Sequence, residues 1–210
     1  MLWRLVIALA FGLPLGAWSA SRMIHTDHGF GAVNVGAWTV RPGEGTAEAD
    51  PYTRARLAAE GLAPLGAAEG VAFVAQRDDE GRPLARNCTY RLTGRFPRAR
   101  AWTLAAYGAT GNAGEDAPLL RGADDEPAVA VSDALLREAD GLFTVRVGPQ
   151  PHGGNWVPVA ARPDGRDGSA KASSGKADMV LVARLYDTPV SSDAELLEPV
   201  VPTVVREACG

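Results

Sequence analysis

Arg184 is the residue with most chemistry to explain. In the run Met179 to Asp187, alternation sets Val180, Val182, Arg184 and Tyr186 on one face. Met179, Leu181, Ala183, Leu185 and Asp187 share the other. Both faces are largely apolar, so the strand is expected to be central, and an unpaired guanidinium there is expensive. Two further segments offer partners. Asn155-Trp156 before Pro158 places an amide beside a large ring, and Trp102 and Tyr107 fall at the ends of another strand. Together Trp102, Tyr107, Asn155, Trp156, Arg184 and Tyr186 are expected to line a cleft in which Arg184 pairs with an anionic group. The competing expectation is that Arg184 forks to an internal carboxylate or to carbonyls, with the aromatics in the core.

Little else points to catalysis. The chain has no Gly-x-Ser-x-Gly elbow and no Walker loop, and the glycines of 108–114 lack the Lys-Ser/Thr ending of a phosphate cradle. His25 and His28 lie beside an apolar segment, and the acidic runs at 78–80 and 124–126 lack the alternating oxygens of a calcium loop. No metal, cofactor or catalytic residue is expected. A net charge of −4, from 21 basic and 25 acidic residues, argues against nucleic-acid binding. With 46% apolar residues the chain can bury a core, and 24 Gly and 15 Pro favour short strands and turns over a helical bundle.

The elements that must position these residues begin with a membrane segment. After Arg4 the chain is uncharged from Leu5 to Ser21, and Arg22 closes it. At about 1.5 Å per residue that run reaches the lower limit for crossing a hydrocarbon core. Trp3 and Trp18 stand near its two ends, where indoles prefer the interface. The expectation is a single-pass anchor over 1–22 in a bacterial inner membrane, with the body in the periplasm; a cleavable signal peptide ending near Ala17 and Ser19 is the alternative. Either route leads to an oxidising compartment, where Cys88 and Cys209 are expected to form a disulfide; two separate buried thiols are the other reading.

A tether over 23–32 leads to one domain, 33–210. Its expected elements are a strand at 33–40, a helix from Pro51 to about Glu60 capped by Asp50 and ended by Gly61, and strands at 71–76 and 86–96 joined as a hairpin. A strand at 101–107, a loop at 108–126, one helical turn at 133–138, a strand at 142–147, a turn at 149–154 leading into 155–159, and strands at 179–187 and 200–208 follow. Residues 161–178 are low in complexity and read as a mobile loop. Short strands without a βαβ rhythm, one early helix and a membrane segment predict a mainly β chain: an antiparallel sandwich of jelly-roll kind behind an N-terminal transmembrane helix.

Four segments in order, Trp102-Thr-Leu-Ala-Ala-Tyr107, Phe143-Thr-Val-Arg-Val-Gly148-Pro149, Gly154-Asn155-Trp156-Val157-Pro158 and Leu181-Val-Ala-Arg184-Leu-Tyr186-Asp187-Thr-Pro189, resemble the bacterial domain of unknown function 1214. The likeness spans roughly residues 70–209. Asp50-Pro51-Tyr52 and the late Cys209 are similar to its short membrane-anchored branch. Val157 stands where that family usually has Leu, and the Ala/Ser/Gly-rich stretch before Met179 looks like an insertion. The resemblance implies a β-sandwich on the outer side of the inner membrane and no established activity. The expected role is a membrane-tethered envelope module binding a small molecule or an envelope protein. The alternative is a hydrolase in which Arg184 holds an anionic group and Asp187 or Tyr186 moves a proton.

Overall fold

The structure, a computed structural model, describes residues 2–24, 31–60, 64–66, 69–109, 118–161, 177–188 and 201–210. The chain opens with helix α1, Leu2–Ile24, which carries Pro14 in its interior. The Leu2–Arg22 stretch is long and apolar enough to cross a bilayer, a property it shares with signal sequences, and its side chains are outside the core. Helix α2, Pro51–Glu60, begins where the Asp50-Pro51 pair places it. Asp50 caps it, one carboxylate oxygen accepting the Tyr52 and Thr53 N–H groups at 2.9 and 3.1 Å and the other the Thr53 hydroxyl at 2.5 Å. These bonds hold the Asp50 carboxyl below its ordinary value, the hydroxyl bond being the largest influence. Residues 61–63, the expected stop, lie outside the described residues.

The strands are β1 (Val33–Val35), β2 (Trp38–Val40), β3 (Gly70–Ala75), β4 (Cys88–Gly94), β5 (Ala101–Gly108), β6 (Val129–Val131), β7 (Phe143–Gly148), β8 (Asn155–Pro158), β9 (Met179–Tyr186) and β10 (Thr203–Cys209). They form two sheets, β1-β2-β3-β9-β5-β6 and β10-β4-β7-β8. All pairings are antiparallel except β7 with β8, because 149–154 carries the chain back before β8 starts. The expected mainly β, two-sheet fold with a leading apolar helix is the fold found.

Alternation names the inward faces correctly. Cys88, Tyr90 and Leu92 of β4, Phe143, Val145 and Val147 of β7, and Met179, Leu181, Ala183 and Leu185 of β9 are all buried. Phe96 is the hub between the sheets. Its ring lies 5.5 Å from Trp38, 5.0 Å from Trp102 and 5.9 Å from Phe143, all within edge-on or tilted aromatic packing distance.

Four local expectations are corrected. Residues 33–40 are two strands, because Gly36 takes φ +58°, and the turn folds β1 back on β2. Asp79, in the 77–83 turn, ties this turn to β10: Oδ1 accepts the Ala37 N–H and Oδ2 the Val204 N–H at 2.7 Å. Strands β3 and β4 are not a hairpin. β3 lies between β2 and β9 and β4 between β10 and β7, so the 77–83 turn passes from one sheet to the other. Alternation reports that each strand has a buried face, and facing sheets satisfy it as well as paired strands. The expected helical turn at 133–138 shrinks to a 3-10 turn, Ser132–Ala134. The expected loop 108–126 is partly paired as well, with isolated bridges from Leu119 to Tyr107 and from Arg121 to Pro127. Most of the expected mobile loop, 162–176, lies outside the described residues, as do His25 and His28.

Cys88 and Cys209 are disulfide-bonded. They face each other across the β4–β10 pair, so the bridge pins the last strand of the chain to an inner one.

Candidate functional site

The six residues expected to line one cleft occupy three different places. Strand β9 is central, between β3 and β5. Arg184 lies opposite Thr103, whereas Trp102 lies opposite Leu185, so Arg184 and Trp102 point to opposite faces of the sheet. On the outer face Arg184 Nη1 donates to the Tyr107 hydroxyl at 2.8 Å, and its guanidinium lies 5.4 Å from the Tyr107 ring. Tyr186 shares that face by alternation. Trp102 is buried between the sheets.

Asn155 and Trp156 belong to the other sheet. The Asn155 amide clamps the chain at Leu136: Oδ1 accepts the Leu136 N–H and Nδ2 donates to the Leu136 carbonyl, both at 2.8 Å. Nδ2 also donates to the Thr144 carbonyl at 3.0 Å. Trp156 pairs across the sheet with Arg146 and donates its indole N–H to the Gly148 carbonyl at 3.1 Å. Beside it Glu207 joins Arg91 and Arg146 at 2.8 and 2.9 Å. Burial pushes the Glu207 carboxyl up, but Arg146 and Arg91 together bring it below its ordinary value.

A concavity of about 260 Å³ forms elsewhere, at the end of the sandwich where β4 stops and β5 and β7 begin. Its floor includes Phe96 and Trp102, and its wall carries Arg95, Arg98, Arg100 and Arg137 against Asp133 and Asp140. The local chain explains why the cations converge. Arg95 to Arg100 is the crossing from β4 in one sheet to β5 in the other, and Phe96 plunges into the core as its anchor. Arg100 N–H bonds the Tyr186 carbonyl at 3.0 Å, and the Thr188 hydroxyl bonds the Arg98 carbonyl at 2.6 Å. With the backbone so held, the Arg95, Arg98 and Arg100 side chains turn out toward solvent.

The opposite wall is fixed by Ser132. Its hydroxyl accepts the Trp102 N–H at 3.2 Å and donates to Asp133 at 3.0 Å. Arg137 stretches across this wall, 5.8 Å from the Trp102 ring, and donates to the Ser132 carbonyl at 3.3 Å. Asp140 accepts the Leu142 N–H at 3.0 Å. Each aspartate thus accepts a hydrogen bond within the 132–142 loop. Arg100 forms an exposed pair with Asp187 at 3.2 Å. Arg95 and Arg98 have no ion pair or side-chain hydrogen bond among the described residues. The result is a cationic rim over an aromatic floor, which suits a planar or tetrahedral oxyanion with a small apolar body.

Only Trp102 of the six expected residues borders this concavity. The missed signal was legible as Arg95-Phe-Pro-Arg98-Ala-Arg100, three arginines in six positions between two strands.

Residues 69–166, which contain the whole rim and floor of the concavity, match the family described as protein of unknown function (DUF1214). Over this stretch the chain is similar to the DUF1214 family. Among curated proteins none matches. The fold is similar to the crystal structure of the VPA0106 protein from Vibrio parahaemolyticus, at 16% identity and TM-score 0.52, over 75% of this chain and 36% of that one. An uncharacterised protein from Burkholderia cenocepacia is similar at 19% identity and TM-score 0.39, over 66% of this chain and 29% of that one. The chain thus spans about a third of the length of these solved relatives. The Vibrio structure supports the fold alone.

Proposed function

We propose that this chain is a membrane-tethered module of the bacterial envelope, with its sandwich on the periplasmic side, that binds a small anionic ligand in the arginine-rimmed concavity. The observation that carries this reading is the convergence of four arginines, Arg95, Arg98, Arg100 and Arg137, on one concavity lined by two aspartates, each of which accepts a hydrogen bond within its own loop. The apolar α1 and the disulfide agree with a tethered domain in an oxidising compartment. Arg184, the residue on which a hydrolase reading rested, does not line the concavity and has Tyr107 as partner.

Calorimetric titration of the full chain in non-ionic detergent with phenyl phosphate tests it. Wild type is expected to saturate, and the double substitution Arg95→Gln, Arg98→Gln to weaken binding at least about tenfold, since a hydrogen bond to a charged group contributes about 1.5–3 kcal/mol. Arg184→Met is expected to bind as wild type does. Equal affinity in the double variant, or no saturable heat in wild type, would overturn the site.

A further inference from the structure

The register of the strands fixes which end of the sandwich faces the anchor. Val33 pairs with Val40, which pairs with Phe73, so the chain at Gly31 enters level with the start of β3. Gly70, at that start, lies opposite Tyr186, and Tyr186 lies opposite Ala101. The concavity is at this same end, since it is built from the residues just before Ala101 and just before Phe143. The 77–83 turn and the disulfide lie at the other end, where Ala75 faces Leu181 and Cys88 begins β4. From Ile24, the last residue of α1, to Gly31 is seven residues, which span at most about 25 Å when fully extended. An uncleaved α1 therefore keeps the chain's entry point, at the arginine end, within about 25 Å of the end of the helix.

A second observation points the same way. Outside α1, Leu136 is the most exposed large apolar side chain among the described residues, at 69%. It is presented, not frayed, because Asn155 grips both its N–H and its carbonyl. In the chain it precedes Arg137, which lines the concavity. Leu136 is followed by the exposed Arg137, with the exposed carboxylates of Glu138 and Asp140 further along the loop. An apolar tip beside a cation suits an anionic membrane interface, the leucine in the acyl boundary and the arginine at the phosphates.

We infer that the concavity takes the phosphate of an anionic phospholipid headgroup, with Arg95, Arg98 and Arg137 as its donors and Leu136 seated in the acyl boundary, so that the sandwich lies down on the membrane that anchors it. This rests on the tethered, anion-binding reading above. The chemistry recognised is a phosphate ester, and a soluble phosphate is the other source of it.

The test places a nitroxide at Ala139→Cys, beside Leu136, and in a second sample at Glu80→Cys on the far turn. Full chain is reconstituted in nanodiscs of phosphatidylcholine with or without phosphatidylglycerol, and relaxation by a lipid-soluble agent reads depth. Phosphatidylglycerol is expected to raise relaxation at 139 several-fold and leave 80 unchanged, and Arg95→Gln with Arg98→Gln to abolish the rise while the unfolding temperature stays that of wild type. Inorganic phosphate added to the phosphatidylglycerol discs is expected to compete. If phenyl phosphate binds in detergent yet residue 139 reads the same in both discs, the lipid assignment is overturned and the anion site stands. If phenyl phosphate also fails to bind, both fall.

Discussion

Chains carrying Cys209→Ser are expected to unfold at markedly lower urea than wild type, losing about 2–4 kcal/mol, and reduced wild type should match them. The bond joins residues 121 apart. Chain entropy alone sets a ceiling of about 4–5 kcal/mol for a loop of that size. The structural consequence is local first. β10 is an edge strand, paired only with β4, and its last described pair is the bonded one. Its earlier residues also close the 77–83 turn: Asp79 bonds Val204 in both directions, and Arg206 reaches the buried Asp78 carboxylate at 3.3 Å and the Pro83 carbonyl. Loosening the C-terminus should therefore raise hydrogen exchange in β10 and in this turn before β5 or β9. Equal midpoints for oxidised, reduced and Cys209→Ser chains would refute the stapling role.

The second large effect is expected at Trp38. It is fully buried on β2, packs edge-on against Phe96 and donates its indole N–H to the Pro202 carbonyl at 2.7 Å. That single bond reaches from one sheet to the start of β10 in the other. Trp38→Ala removes a large ring from a closed core, which typically costs about 3–5 kcal/mol. It also leaves the carbonyl without its donor, a further penalty of about 1–3 kcal/mol where water cannot replace it. Trp38→Phe keeps much of the volume and loses the bond, so it should fall between. Denaturant unfolding of the three chains checks the order. Phe equal to Ala would assign the whole effect to the hydrogen bond, and Ala equal to wild type would show that the core repacks without the ring.

Which features the letters reveal follows from how local their causes are. The start of α2 was readable because Asp50 and Pro51 act within one turn. The inward faces of β4, β7 and β9 were readable because a two-residue period needs no knowledge of the partner strand. Pairing is a different kind of information. β3 meets β9 across more than a hundred residues, and nothing in 70–75 names that partner. The division of 33–40 turned on Gly36 alone, and β6 is three residues long, too short to show a period.

The site was hidden for a related reason. Arg184 drew the eye because a charge in an apolar strand is anomalous, and the anomaly has a local answer in the Tyr107 hydroxyl and ring. Arg95, Arg98 and Arg100 looked ordinary because cations between strands are common, and only the fold places Trp102 beneath them and Arg137 opposite. Asn155 was expected to line a cleft, and the structure shows its amide holding the Leu136 backbone in place.

The most direct measurement is the position of a heavy oxyanion in crystals of the full chain soaked in tungstate. An anomalous peak is expected within hydrogen-bonding reach of Arg95, Arg98 and Arg137, above Trp102, and is expected to disappear in the Arg95→Gln, Arg98→Gln chain. A peak that settles beside Arg184, or that persists in the double variant, would contradict this expectation.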